Sequence, residues 1–219
     1  AAKQTAAGLQ ALGEIDCEER GWLELVLARV ARERSDLEMV WDHTERAREI
    51  FARFETRAGE AEALLDLGRC AALTGRLSPD GALVAKSHYE SALSLAESLA
   101  DPFLAARIHL TLAEHIGYGS GEYDEGMRHF GAIESSPEAM ADPLIGADFH
   151  LRRAWFTFRL RLDFARAESD ILEGQRLARK AHDVAALYRS QGFMDSYKKN
   201  FDPIKLKLHG TVNKIEAQA

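Results

Sequence analysis

The fold is decided by a stretch that the chain repeats, DPFLAARIHL at residues 101–110 and DPLIGADFHL at residues 142–151. Asp101 and Asp142 are 41 residues apart, and a further 41 residues lead to Asp183. Each interval contains two helix-like apolar patterns with a turn between them. Self-similarity at such a period is typical of a helical repeat array rather than of a single-core enzyme. We therefore expect an all-α solenoid.

The apolar periodicity predicts four helical hairpins over residues 18–185. Their helices are expected at residues 18–34 and 37–57, 60–75 and 82–99, 102–116 and 123–134, and 144–160 and 164–181. We expect residues 1–17 to form a lead-in and residues 186–219 an irregular cap of short helices, since a solenoid must cover its last exposed core.

Glycines are expected to mark two of the breaks. Ala58-Gly59 should end the second helix, because glycine takes the left-handed conformation that a helix C-cap requires. Gly117-Tyr118-Gly119-Ser120-Gly121 is interpreted as the turn of the third hairpin, since it lacks the Gly-Lys-Ser/Thr ending and the preceding strand of a phosphate-binding loop. Gly126 and Gly131 each cost up to about 1 kcal/mol relative to alanine, so residues 123–134 should form the least stable helix.

Composition narrows the function classes. The net charge of −7 and the pI of about 5.7 lack the basic character of a nucleic-acid binder. Cys17 and Cys70, the only cysteines, are too few for a disulfide framework and favour a reducing, cytoplasmic compartment. No apolar run is long enough for a membrane helix or a signal peptide. The start at Ala1 rather than Met suggests a processed chain or a piece of a longer protein.

We expect neither catalysis nor a metal or other cofactor. Serine, histidine and aspartate occur, but without a strand–turn–helix nucleophile elbow. His109 and His150 occupy the same position of successive repeats, with Asp148 nearby, yet a metal site needs a third and a fourth ligand within reach. The alternative, which we favour, is that both histidines replace small residues in the packing between helices.

The second hairpin resembles the tetratricopeptide repeat. Its first helix contains Leu64, Leu67, Gly68, Ala71 and Gly75, and its second contains Ala85, Tyr89 and Ala92. A similar 4-then-3 spacing recurs as Ala47-Phe51-Phe54, Gly126-Phe130-Ile133 and Ala167-Ile171-Gly174. The resemblance departs at His109 and His150, where the family prefers glycine, and in its longer period.

The resemblance implies a right-handed solenoid whose first helices line a concave face that binds a protein or peptide. Longer repeats of this kind are similar to those of bacterial signalling and transcription-regulating proteins. The residues it nominates for the concave face are Glu24, Arg32, Leu65, Arg69, Phe103, Leu110, Glu114, Leu151, Trp155 and Tyr188. Arginines and aromatics suit a peptide clamp. The alternative is that these residues only stack one hairpin on the next.

Two rival functions remain open. The chain could be a ligand-sensing regulatory segment of a larger signalling protein, or a structural homo-oligomer. The C-terminal segment contains Lys198, Lys199, Lys205, Lys207 and Lys214 together with an apolar stripe of Leu208, Val212 and Ile215. It is interpreted as a cap, the alternatives being a link to an output domain, a contact with an acidic partner, or a homodimer contact.

Overall fold

The computed structural model describes residues 17–74, 79–119, 121–187 and 190–192. Every regular element in this part of the chain is a helix, which confirms the all-α class. The helices are α1 (Glu18–Glu33), α2 (Leu37–Arg53), α3 (Arg57–Thr74), α4 (Pro79–Ser98), α5 (Pro102–Gly119), α6 (Tyr123–Glu134), α7 (Pro137–Ala141), α8 (Pro143–Arg161) and α9 (Phe164–Lys180). Residues 184–187 and 190–192 are also helical.

The chain divides into two compact units between Ala139 and Met140. In the first unit α1–α2, α3–α4 and α5–α6 pack as hairpins, and each hairpin packs on the next through α2 with α3 and α4 with α5. The first helices also meet directly, since α1 contacts α3 and α3 contacts α5. In the second unit α8 packs against α9. Packing in consecutive pairs is thus as expected.

The aspartates of the 41-residue spacing are helix N-caps. Asp101 Oδ1 accepts hydrogen bonds from the backbone N–H groups two and three residues later, both at 3.0 Å. Asp142 Oδ1 does the same at 2.8 and 3.0 Å, and Asp183 Oδ1 accepts one from the N–H of Ala186 at 2.9 Å. An N-cap satisfies backbone donors that the first turn leaves without partners. The period in the sequence therefore marks repeated helix starts.

Left-handed residues between the helices are mostly not glycine. Four of them directly precede an aspartate N-cap: Ser35, Ala100, Leu162 and His182, with φ between 51° and 59°. Glu55, with φ of 56°, follows the end of α2. The left-handed residue ends one helix and the aspartate after it starts the next. Such a turn takes two or three residues and no glycine.

The predicted helix end at Ala58-Gly59 is wrong. It lies inside α3 and is buried. A Cβ at this position would come within 2.4 Å of Cδ1 of Phe51, on α2. Gly59 therefore allows the ring of Phe51 to approach the backbone of α3, and α2 ends earlier, at Arg53. Gly117 and Gly119 likewise belong to α5 rather than to a turn.

The largest core cluster lies where α3, α4 and α5 meet. Tyr89 of α4 is 1% exposed and packs on Gly68 of α3, where a Cβ would lie 2.4 Å from the ring. Leu65, Ile108 and Leu112 complete the contact and are buried. Burial raises the pKa of the Tyr89 hydroxyl, with Arg69 opposing this. The cluster holds α3 and α5 in position relative to each other. It therefore also positions the side chains on the surface that these two helices share.

Candidate partner-binding face

Three parallel stripes of side chains lie on the first helices of the first unit. They are Trp22, Val26 and Arg29 with Arg32 on α1, Glu62, Asp66, Arg69 and Leu73 on α3, and Phe103, Arg107 and Thr111 on α5. Residues three or four apart occupy one side of a helix. Because α3 contacts both α1 and α5, the stripes are neighbours. We call their combined surface the first-helix face.

Asp66 lies at the centre of this face and binds three arginines. Its Oδ2 accepts a hydrogen bond from Arg29 Nε at 3.0 Å. Its Oδ1 accepts from Arg32 Nη1 at 3.2 Å and from Arg69 Nη1 at 2.9 Å. Arg69 Nη2 also donates to Thr111 Oγ1 on α5 at 3.4 Å. Asp66 thus joins α3 to α1 directly and to α5 through Arg69.

Glu62 joins α1 and α5 in the same way. Its Oε2 accepts from Arg29 Nη2 at 2.8 Å and from Arg107 Nη2 at 3.0 Å, and its Oε1 accepts from Arg107 Nη1. We call Arg29, Arg32, Glu62, Asp66, Arg69 and Arg107 the Asp66 network. A bidentate arginine–carboxylate pair is among the stronger charged hydrogen bonds. Arg107 forms such a pair, and each of the other three arginines donates to one or both carboxylates, so the network positions all four arginines.

The carboxylates of this network lie beneath its arginines. The side chain of Asp66 is 3% exposed and that of Glu62 is 13% exposed, whereas the four arginine side chains are 25–38% exposed. Burial alone would raise the pKa of Asp66, but Arg69 and Arg29 hold it below the usual value. The exposed groups at the centre of the face are thus cationic, and the anionic groups serve to position them.

Exposed apolar side chains border the network. Trp22, Val26, Leu73 and Phe103 are 38–45% exposed. Trp22 is held by an edge contact with Phe51, with ring centroids 4.8 Å apart, and by donating its indole N–H to Glu18. Exposed aromatic side chains such as Trp22 and Phe103 beside arginines are enriched at protein interfaces and their hot spots, whereas Val26 and Leu73 add apolar area.

The nominated residues of the first unit fall into three groups. Leu65 and Leu110 are buried in the core, so they present no surface to a partner. Glu24 is also buried, with Oε2 2.6 Å from His43 Nδ1. The remaining four are accessible to different degrees: Arg32, Arg69 and Glu114 are half-buried and Phe103 is exposed. The structure therefore brings Arg32, Arg69 and Phe103 onto the first-helix face, and Glu114 lies on the same side of α5, beyond Thr111.

The other nominated residues lie elsewhere. Leu151 and Trp155 belong to the second unit, and Tyr188 falls outside the described residues. Leu151 is half-buried, and its Cγ would lie 2.8 Å from a Cβ at Gly174. Trp155 contacts Phe158 and lies under the guanidinium of Arg159, 5.2 Å from the ring centroid. Leu151 and Trp155 thus contact residues of their own hairpin.

Eight of the eleven residues of the face were missed by sequence reasoning, among them Asp66 at its centre and the charged residues Arg29, Glu62 and Arg107. The sequence does contain a signal for the charged residues. Arg29 and Arg32 are three residues apart on α1, and Glu62 and Asp66 are four apart on α3. Opposite charges on consecutive first helices, separated by about one repeat, are placed to pair when hairpins stack.

His109 and His150 each bind a residue of their own hairpin. His109 Nδ1 lies 2.9 Å from His129 Nδ1, and His150 Nδ1 lies 2.8 Å from Asp170 Oδ1. Burial lowers the pKa of both His109 and His129, the latter to about 4 with the neighbouring imidazole adding to the effect. In the part of the chain that the structure describes, no group of three or more histidine, cysteine or carboxylate side chains is arranged to hold a metal ion.

A second charged cluster lies between α8 and α9. Arg153 Nε and Nη2 donate to the two oxygens of Asp170 at 2.8 and 2.6 Å, and His150 completes what we call the Asp170 network. Arg153 is 7% exposed and Asp170 is 4% exposed. Burial would raise the pKa of Asp170, but the hydrogen bonds from His150 and Arg153 lower it. The cluster joins the two helices of one hairpin.

No protein-family model matches the chain, and no curated protein matches it. The tetratricopeptide resemblance and the right-handed solenoid that it implies stay predictions. Among the described helices, none combines the length and the apolar character needed to cross a bilayer.

Proposed function

We propose that the chain binds a protein or peptide segment on the first-helix face. The observation that supports this is the Asp66 network, in which buried Asp66 and half-buried Glu62 hold four partly exposed arginines between exposed apolar side chains. Such an arrangement offers a partner directional hydrogen-bond donors and apolar contact area. Because the arginine side chains are already ordered, binding loses less side-chain entropy. Affinity would come from a few anchors rather than from total area.

The width of the face favours a peptide over a small molecule. The arginines extend across three neighbouring helices, whose axes are about 8–10 Å apart where they pack in contact. A segment that contacts both α1 and α5 must therefore span roughly 15–20 Å, which about six extended residues achieve. The regulatory role in a larger protein is compatible with this face and remains the alternative.

Site-specific photo-crosslinking tests the proposal. A photoreactive amino acid is placed at Phe103 on the face and, as a matched control, at Leu83 on α4, which is also exposed. Both proteins are irradiated in a lysate of the native source and covalent adducts are identified by mass. We expect a discrete adduct from position 103 and none of the same mass from position 83. Equal labelling from both positions, or none from 103, contradicts the proposal.

A further inference from the structure

We infer that the segment bound by the first-helix face is an acidic peptide that carries apolar side chains. This inference rests on the proposed function and adds the chemistry of the partner. Three observations determine it: the sign of the exposed charge, the donors that remain on the arginines, and the apolar border of the face.

The exposed charge at the centre of the face is positive. Four guanidinium groups stand over two carboxylates that water hardly reaches. Glu33 and Glu114 lie on the same sides of α1 and α5, four and seven residues from Arg29 and Arg107, so the positive surplus is confined to the centre. The carboxylates of a partner therefore fit over the arginines. The parts of the partner that lie beside Glu33 and Glu114 should not be acidic, because like charges repel.

Two of the arginines, Arg32 and Arg107, keep N–H donors beyond those used in the network. A guanidinium has five N–H donors. The contact of Arg32 with Asp66 uses one nitrogen, and the contact of Arg107 with Glu62 uses its two terminal nitrogens and leaves Nε. A carboxylate can accept from such groups without displacing Glu62 or Asp66. The face can thus bind an acid while its own network stays intact.

The apolar border argues for a peptide rather than a free anion. Inorganic phosphate would satisfy the arginine donors but would leave Trp22, Val26, Leu73 and Phe103 in water. Burying apolar area stabilises a complex by about 25 cal/mol per Å². A segment in which carboxylates alternate with leucine or aromatic side chains uses both parts of the face, and charge complementarity selects it over basic segments.

The test is a selection of random ten-residue peptides on the 219-residue chain. The selected peptides are then measured for binding by fluorescence anisotropy at low and high salt. Two neighbouring residues on α1 carry opposite charges, so substituting each of them with glutamine changes the charge of the face in opposite directions. Arg32→Gln removes a positive charge and Glu33→Gln, at an exposed residue, removes a negative one. Arg48→Gln on α2 is the matched control, since Arg48 has a similar exposure and a single acidic partner, Glu45.

We expect the selected peptides to be acidic and apolar, with affinity reduced roughly tenfold by Arg32→Gln, raised a few-fold by Glu33→Gln and unchanged by Arg48→Gln. Added salt should weaken binding, because partly exposed charges are screened. Inorganic phosphate at the same ionic strength should compete no better than chloride.

The remaining outcomes separate the two proposals. Neutral or basic peptides whose binding is lost with Phe103→Ala would overturn the acidic partner and keep the binding face. Displacement of the bound peptides by inorganic phosphate, but not by chloride at the same ionic strength, would also overturn the acidic partner. Peptides that bind all variants equally, or no binding up to about 1 mM, would overturn both proposals. If light scattering shows a dimer that Arg32→Gln dissociates, the occupant is a second copy of this acidic chain and not a separate peptide.

Discussion

The Asp66 network of the first unit and the Asp170 network of the second are built from the same pair of side chains but differ in how much water reaches them. In the Asp170 network one arginine and one histidine surround one aspartate, and Arg153 and Asp170 are 7% and 4% exposed. In the Asp66 network four arginines share two carboxylates, and the arginines are a quarter to two-fifths exposed.

This difference separates two roles for the same interaction. A buried charged pair is costly to break, because the remaining charge loses both its partner and its water. A partly exposed pair contributes little to folding, since water replaces the partner. The buried network is therefore suited to holding one hairpin together, and the exposed network is suited to meeting another molecule. Three of the four predictions below test this division of roles, beginning with the largest effect, and the other concerns a histidine pair outside both networks.

Asp170→Asn should destabilise the second unit by about 3–5 kcal/mol. The substitution removes the carboxylate that accepts two hydrogen bonds from buried Arg153. Hydrogen exchange measured by mass spectrometry over α8 and α9 would show the loss helix by helix. Glu173→Gln on the same helix, which breaks the exposed pair with Arg176, is the control and should change little. Equal effects of the two substitutions would remove the distinction between buried and exposed networks.

Asp66→Asn should cost less, about 1–3 kcal/mol, although Asp66 is as buried as Asp170. Its three arginine partners are partly exposed, so water can solvate them once the carboxylate is lost. Urea unfolding with exchange measured on α3 gives the value. A loss as large as that of Asp170→Asn would show that the Asp66 network is primarily structural, and the proposed binding role would lose its basis.

The positions of the helices follow from the sequence because apolar periodicity and N-cap aspartates are local signals. Residues 123–134 form a helix as predicted, and the other boundaries differ by a few residues. Gly59 shows the limit of local reading. Its role depends on Phe51, which belongs to a different helix, so a glycine taken for a cap is a packing contact. The left-handed positions, such as Ala100 and Leu162, likewise have no glycine to signal them.

The candidate face was predicted less well than the fold. A shift of one residue along a helix rotates a side chain by about 100°. Leu65 therefore lies in the core while its neighbour Asp66 organises the face. Arg32 and Arg69 were nominated as part of a concave face, but their shared partner could not be inferred from either helix alone. Pairing across helices depends on how hairpins stack, which the sequence gives only through its period.

The His109–His129 pair makes it possible to measure acid sensitivity apart from both networks. In the unfolded chain each histidine has a pKa of about 6.5, whereas the pKa of His129 in the folded chain is about 4. The unfolded chain thus binds more protons between these values, so stability falls as pH decreases through this window. Asp66 and Asp170, whose pKa values are lowered, stay ionised there.

His129→Gln should therefore reduce the loss of stability between pH 7 and pH 5. The groups that act on the pair are Glu97 near His109, and Glu125, Lys86 and Arg128 near His129. Urea midpoints at pH 7, 6 and 5 give the slope, with His182→Gln at an exposed site as control. A slope in His129→Gln equal to that of the unsubstituted chain would mean that the acid sensitivity arises elsewhere.

Arg32→Gln should have the smallest effect on folding, below about 1 kcal/mol. Arg32 is about one-third exposed, and its contact with Asp66 at 3.2 Å is shared with two other arginines. Arg153→Gln, the same chemical change in the Asp170 network, should cost several times more, because it leaves a buried carboxylate without its bidentate partner. Urea unfolding of the two variants gives the ratio directly. A ratio near one would mean that exposure does not decide the role of these arginines. A large ratio, together with weaker peptide binding by Arg32→Gln, would mean that Arg32 is kept for a partner, since folding alone makes little use of it.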